Sequence, residues 1–485
     1  MTIRLYNTLH HQLEEFVPEV EGEVRMYNCG PTVYSDPHIG NMRSFLMADL
    51  LRRVFDQRGY KTTQVMNITD VGHLTVDDVA DAEGEDKLEK MARAQGVDPF
   101  QIARRYEEIF FENLDTLGAR RAHHYPRATE HVPEMIAMIE RLIASEHAYV
   151  VEGVGVYFRV HTFSEYGQLS GNTLEELDAG SRIEVDDRKE SPHDFALWKI
   201  DDKHLMQWES PFGRGFPGWH IECSAMSEKY LGVTFDVHTG GEDNIFPHHE
   251  CERAQSLCST DGEFARTWVH ARHLLVDGAK MSKSKGSFFT INDLITKGYE
   301  GFEIRYTLIS PHYRQPTNFR LDGLEGDRKA ISRLRGLAGR LAADAAGLAG
   351  GDLEDLGASP EWVERLTAAQ SQFDACLDDD LNVSGGLGVV HDTAKLLARA
   401  DLPAEDAAAG LAFLKHVDEI LCVIFAEASA QTDALSAEEQ ELLDARSAAR
   451  TSKDWARSDE LRDALLAHGV VIKDSPLGVT WERKR

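Results

Sequence analysis

The stretch "DGAKMSKSKGSFFT", Asp277 to Thr290, sets Lys280, Lys283 and Lys285 within six residues, with Met281, Ser282 and Ser284 between them. Lysine is a compact point charge on a flexible stem. Such a loop suits a nucleoside triphosphate, whose charge must be neutralised as pyrophosphate departs. Fixed positive charge aimed where negative charge develops lowers a barrier. On charge alone, a solvated basic turn is the plainer reading.

A second candidate is "GPTVYSDPHIGN", Gly30 to Asn41. The residues around it predict the elements that must position it. "EVRMYNCGPTVY" reads as a strand entering a loop at Gly30-Pro31. "HIGNMRSFLMADLLRRVFDQRGY" reads as a helix, with Phe45, Leu46, Leu50 and Val54 at helical spacing. "KTTQVMNITD" is a second strand, so the unit is βαβ and a parallel sheet is expected. Ligands bind beyond the carboxyl ends of such strands, and a helix N-terminus there offers N–H groups to phosphate. His38 is placed to donate to a phosphate oxygen, and Gly40 lets a nucleotide approach the backbone. These residues alone fit an ordinary polar turn equally well. In "HTGGEDN", His238 to Asn244, Gly240-Gly241 permits close approach and Asp243 suits ribose hydroxyls; a tight turn is the competing reading.

The chain has 485 residues, enough for two to four domains at about 100–200 residues each. Its 42% hydrophobic and 28% charged content is that of a soluble globular protein. No run of 18 apolar residues occurs and "MTIRLYNTLHHQLEEF" has no apolar signal core, so the expected location is the cytoplasm and no membrane partner is expected. Six cysteines at irregular spacing do not form a disulfide framework. The net charge of −30 argues against bulk attraction to nucleic acid. From Arg446 to Arg485, however, nine Lys or Arg face six Asp or Glu, a net of +3 (9 − 6). An acidic body with a basic tail binds RNA locally, or the tail is only a soluble end.

Amphipathic helices are predicted in "PFQIARRYEEIFFENLDTLGA" and "VPEMIAMIERLIASEHAYV", and a short strand in "GVGVYFRV" opens a less regular insert. "FALWKI" and "FDVHTGGED" read as strands returning to the sheet. From Asp327 the composition is that of a helical bundle. After a linker at Glu427 to Glu439, "GVVIKDSPLGVTWERKR" reads as a hairpin in a small terminal module.

"PHIGN" followed by "KMSKS" resembles the two nucleotide signatures of class I aminoacyl-tRNA synthetases, with Asn41 where a second histidine is usual. The match is most similar to the cysteinyl-tRNA synthetase family, through "YNCGPTVY", "PHIGN", "GWHIECSAM", "FPHHE" and "KMSKS" in order. It continues in "YTLISPHYRQPTNF", "DDDLN" and the tail "RSAARTSKDWARSDELRDALLAHGVVIKDSPLGVTW", so it spans essentially the whole chain. The resemblance and the βαβ reading together imply an α/β fold: a Rossmann-like parallel-sheet catalytic domain with an insertion, then a helical bundle and a small α+β C-terminal domain. The expected divisions are 1–130 and 192–276 for the catalytic domain, 131–191 for the insertion, 277–326 for a stem-contact fold carrying the lysine loop, 327–430 for the bundle and 431–485 for anticodon binding.

The resemblance also implies zinc, held by Cys29, Cys223, His248 and Glu252. His248 and Glu252 share one helical face, and each cysteine is expected near the end of a sheet segment. Read alone, the cysteines would be core thiols and the His–Glu pair a surface contact. His249, Glu250 and Cys251 are read as decoys beside the ligands. Zinc favours thiolate over hydroxyl, so it would separate cysteine from serine where a hydrophobic pocket gives only about 10- to 200-fold. Thr69, Trp219 and His238 would line the amino-acid pocket; packing is the plainer role for Trp219. The implied reaction joins L-cysteine to ATP, with Mg²⁺ on the phosphates, and then to the terminal adenosine of tRNA(Cys). His38, Lys280 and Lys283 would stabilise the transition state, with Gly40, Asn41, Gly240, Asp243, Met281, Ser282 and Ser284 around the nucleotide. A monomer is expected. In the tail, Trp455 and Trp481 are candidates for stacking on bases, or for core packing, with Arg446, Arg450, Arg457 and Lys473 near phosphate.

One departure is "VGHLTVDDVADAEGEDKLEKMA" after "NITD", where the family form continues "IDDK"; the Asp-Lys pair is displaced and His73 is read as exposed. Two rivals remain: a ligase joining cysteine to an amino sugar in mycothiol synthesis, which lacks the anticodon module, and a non-catalytic RNA-binding relic.

Overall fold

The computed structural model describes residues 2–76, 83–173, 188–281, 288–345, 347–348, 353, 355–427, 442–443, 445–446, 449–450, 454–467, 470–475 and 478–483. Two compact units divide the chain: residues 1–291 with 302–426, and residues 292–301 with 427–485.

The first unit is built on four parallel strands: β1 (Glu23–Asn28), β2 (Lys61–Met66), β3 (Thr234–Gly241) and β4 (Phe264–Ala271), in the order β4-β3-β1-β2. Val24, Met26, Val65, Phe235, Val237 and Trp268 are buried, as expected for strands covered on both faces. Helix α1 (Ile39–Gln57) carries the chain from β1 to β2 on one side, and helix α2 (Trp219–Leu231) delivers it to β3 on the other. The loops leaving β1 and β3 therefore diverge, which opens a crevice at their carboxyl ends.

"FALWKI" departs from expectation. Phe195–Lys199 does not join the parallel sheet. It pairs with Gly155–Phe158 and Phe216–Pro217 in an antiparallel sheet of four strands that closes the insert. Its side chains are almost all buried, so its composition does not distinguish the two sheets. The acidic segment after Asp70 also holds a short hairpin, Leu74–Val76 against Glu83–Asp86.

Four long helices, Leu321–Asp344, Pro360–Asp378, Val383–Arg399 and Ala404–Leu421, form the bundle around Leu334, Leu366, Phe373, Val390 and Phe413. A buried charge cluster ties it to α1. Arg305 Nη2 and Arg53 Nε donate to Asp49 at 2.7 and 2.9 Å, and the same guanidinium groups donate to the carbonyls of Leu421 and Glu419. The second unit contains helix Trp455–Ala467 and the predicted hairpin, Val470–Ser475 against Gly478–Arg483. Arg446 is 1% exposed, so its guanidinium serves the interior rather than a phosphate. Among the described residues, no helix is long and apolar enough to cross a membrane.

Candidate active site

A cavity of about 460 Å³ fills the crevice. His38 is the N-cap of α1. Its Nδ1 accepts the Asn41 backbone N–H at 3.1 Å while Asn41 Oδ1 accepts from His38 N at 3.2 Å. This reciprocal cap uses the asparagine that replaces the usual second histidine. It also sets the tautomer: with Nδ1 accepting, neutral His38 carries its proton on Nε2. Gly40 lines the cavity, and a Cβ there would meet Met281 Cε at 2.6 Å and His38 Cε1 at 3.0 Å. Asp243 and Gly241 line the opposite wall at the end of β3. Gly240 instead faces inward, with the His249 ring packed where a side chain would be.

Lys280 ends a two-residue strand paired with Leu275–Val276, and Met281 reaches the cavity wall. Ser282, Lys283 and Ser284 lie outside the described residues.

At the cavity floor, Cys29, Cys223, His248 and Glu252 converge, each buried, with one ligand atom apiece lying mutually within 4.8 Å. The two sulphurs are 4.0 Å apart, Cys223 Sγ lies 3.5 Å from His248 Nε2, and His248 Nε2 lies 3.0 Å from Glu252 Oε1. A tetrahedral ion with bonds of about 2.3 Å to sulphur separates two sulphurs by about 3.8 Å, so the donor set fits zinc. Cys29 follows β1 as expected, but Cys223 lies in the first turns of α2 rather than beside a sheet segment. That helix is almost wholly buried near its start.

Electrostatics favour a cation here. Burial opposes charge on Glu252, but His238 and His248 outweigh it and hold the carboxyl near 2. Burial also opposes charge on His248, yet Glu252 and Cys223 raise it to about 10. Burial pushes the Cys29 thiol well up, and Cys223 is brought down to about 7 against its own burial, chiefly by the bond from Cys29.

Of the decoys, Cys251 points to the Tyr166 hydroxyl at 3.4 Å. His249 does not stand aside. Cys29, His238, His249 and Glu252 form a second, overlapping set of four. Burial and neighbouring His238 and His270 hold His249 well below the usual histidine value. Its Nε2 lies 3.1 Å from Cys29 Sγ and its Nδ1 2.7 Å from His270 Nε2. The first set has two thiols and the field that charges His248, so it is the stronger cation site.

Above the floor, Trp219 stacks on His248 with centroids 4.2 Å apart. Thr69 donates to Glu222 at 2.9 Å, and burial raises the Glu222 pKa well above its ordinary value. His238 is fully buried beneath, donating from Nε2 to Glu252 at 2.9 Å. Sequence reasoning missed His73, Lys87, Arg272 and His273 on the cavity wall. His73 is 7% exposed, not an exposed residue. The displaced Asp-Lys pair was the available signal for Lys87. Arg272 and His273 had none, because Arg43 places their loop by donating to the Arg272 and His312 carbonyls across 229 and 269 residues.

Comparison with known proteins agrees with this geometry. Residues 15–329 match the family described as tRNA synthetases class I (C) catalytic domain, residues 372–426 a DALR domain, and residues 432–481 the cysteinyl-tRNA ligase anticodon binding domain. The structure also resembles Mycobacterium tuberculosis methionyl-tRNA synthetase in complex with methionyl-adenylate, at a TM-score of 0.59 and 15% identity, over 83% of this chain and 90% of that one. The catalytic domain is therefore that of a class I aminoacyl-tRNA synthetase, on a Rossmann-like sheet.

Curated relatives narrow the class. Cysteine–tRNA ligase of Symbiobacterium thermophilum is 44% identical over 100% of both chains, and that of Salinibacter ruber 42% identical over 100% of this chain and 98% of its own. The chain belongs to the cysteine–tRNA ligase family, and it is an enzyme, an aminoacyl-tRNA synthetase. The amino-sugar ligase and relic readings are not favoured, since the full-length relatives and the anticodon domain match the tRNA enzyme.

Proposed function

We propose that the cavity activates L-cysteine with ATP and then passes cysteine to the 3′-terminal adenosine of tRNA(Cys). The observation that carries this is the buried four-ligand cluster at the floor of a cavity whose rim is the N-terminus of α1. Cys29, Cys223, His248 and Glu252 would hold zinc, which when bound supplies a preference for thiolate over hydroxyl. Trp219 and Thr69 shape the space above it. His38, its proton fixed on Nε2, donates to an ATP phosphate oxygen. Gly40 keeps the backbone open to the nucleotide, and Asp243 accepts from its ribose. Lys280 and Lys283 bring charge to the phosphates, with Mg²⁺ bound to ATP, as the substrate carboxylate attacks the α-phosphate and pyrophosphate leaves. No protein nucleophile enters either step.

The 431–485 domain reads the anticodon in this scheme, and the enzyme works as a monomer in the cytoplasm. The test is transfer of labelled cysteine to unfractionated tRNA with ATP and Mg²⁺, beside a serine control. Alkali-labile cysteine on tRNA with little serine is expected. Cysteine-dependent pyrophosphate exchange without charging would move the acceptor to a small amine.

A further inference from the structure

His73 opens the segment that departs from the family form, yet its ring lies inside the cavity wall. It stacks on Trp219 with centroids 4.3 Å apart and planes 15° apart. Trp219 in turn stacks on His248 at 4.2 Å and 26°. The indole is therefore held between two imidazoles, one of them in the four-ligand cluster.

The outer residue, His73, is itself fixed at three points, two of them on its ring. His73 Nδ1 lies 2.6 Å from Thr32 Oγ1, and Lys87 Nζ lies 3.1 Å from His73 Nε2. The Lys87 backbone N–H donates to the His73 carbonyl at 2.9 Å. An ammonium donates only, so Nε2 accepts, the ring proton sits on Nδ1, and Nδ1 donates to Thr32. Lys87 reaches this place because Glu83–Asp86 pairs antiparallel with Leu74–Val76, which follows His73. The Asp86 side chain then caps the next helix by accepting from Leu88 and Glu89 N–H. Lys87 Nζ also lies 5.4 Å from the Tyr34 ring centroid, over a second wall residue. Thr32 is tied to the amino-acid pocket as well: it bridges to Thr69, and Val33 N donates to the Thr69 carbonyl at 3.1 Å.

We propose that His73 is a positioning residue of the amino-acid pocket: it clamps Trp219 face-on against His248, and Lys87 locks it there. This rests on the cysteine-activating reading above. His73 and Lys87, which flank the hairpin strands Leu74–Val76 and Glu83–Asp86, are then part of the pocket's outer wall. Stacking of this kind is worth a few-fold to about tenfold in binding. The effect should fall on the amino acid, because the indole covers the amino-acid space and not the α1 end of the cavity.

The test is cysteine-dependent pyrophosphate exchange with zinc-loaded full-length protein. His73→Ala should raise KM for cysteine about tenfold, leaving kcat and KM for ATP within twofold and zinc content unchanged. His73→Phe, which keeps the stack and loses both bonds, should recover most of the loss. Lys87→Met should raise KM for cysteine about threefold. The proposal is overturned by an unchanged KM for cysteine in His73→Ala. It is equally overturned by a matching rise in KM for ATP, or by no recovery in His73→Phe. If His73→Ala fails to fold, the Phe and Met variants carry the test alone, and a normal KM in Lys87→Met counts against the lock. A wild-type protein without cysteine-dependent exchange would defeat the functional reading instead.

Discussion

The two ends of the cavity are made differently. The floor is dry and cross-linked: Cys223 is 1% exposed, His248 2% and Glu252 0%, and each touches another member of the cluster. The rim at α1 is partly open. His38 and Asn41 are half-buried and Asp243 and Arg272 are exposed. In the proposed reaction, the difference follows from the discrimination each end would make. Cysteine and serine differ by one atom, and ligands held in fixed positions in low dielectric can exploit that difference. A triphosphate announces itself by charge, which a helix N-terminus and lysines on long stems can meet without an enclosed site.

The comparison breaks most visibly at the floor. Cys223→Ser should lose zinc, measured by atomic emission, and lose cysteine activation by more than about 100-fold, since even outer partners of metal ligands cost about 10- to 100-fold. A mutant with full zinc content and normal activation would remove Cys223 from the ligand set. Lys280→Ala should lower kcat for pyrophosphate exchange about 100-fold while zinc content and KM for cysteine hold. A raised KM for cysteine in that variant would mean the two ends are not separable.

Gly40→Ala should be milder. The new methyl displaces Met281 and presses on the His38 ring, so KM for ATP should rise about tenfold with KM for cysteine unchanged. The smallest effect tests the frame rather than either end. Asp70 follows the pocket residue Thr69, accepts from Thr129 N and Oγ1, and has its pKa raised by burial to about 6. A carboxyl with a folded pKa above its unfolded value favours folding at low pH; that contribution is lost as pH rises from about 4 to 6. Relative to the wild type, Asp70→Asn should therefore gain about 2 kcal/mol of stability between pH 4 and pH 8, on top of a pH-independent cost from the weakened bonds to Thr129. A difference in urea midpoint between the two proteins that stays the same from pH 4 to pH 8 would show the charged form to be satisfied in place.

Reading the sequence worked where chemistry and periodicity sit close together in the chain. The βαβ unit, the His248–Glu252 spacing of four and the terminal hairpin are all settled by neighbours. Each depends on local backbone geometry, which a few adjacent residues control. The strand Phe195–Lys199 shows the limit. Its buried pattern predicts a strand but not which sheet receives it, because pairing partners are chosen by topology.

What the tertiary structure alone decided is who meets whom across long separations. Cys29 and Cys223 are 194 residues apart and become neighbours only because β1 and α2 meet at the crevice. His249, adjacent to a ligand, turns toward Cys29 and His270, and His73 turns inward against Trp219. The resemblance carried by motifs in order along the chain was enough to name the family and its reaction class. Contact between distant side chains depends on how the strands and helices pack, and no local spacing in the chain encodes that.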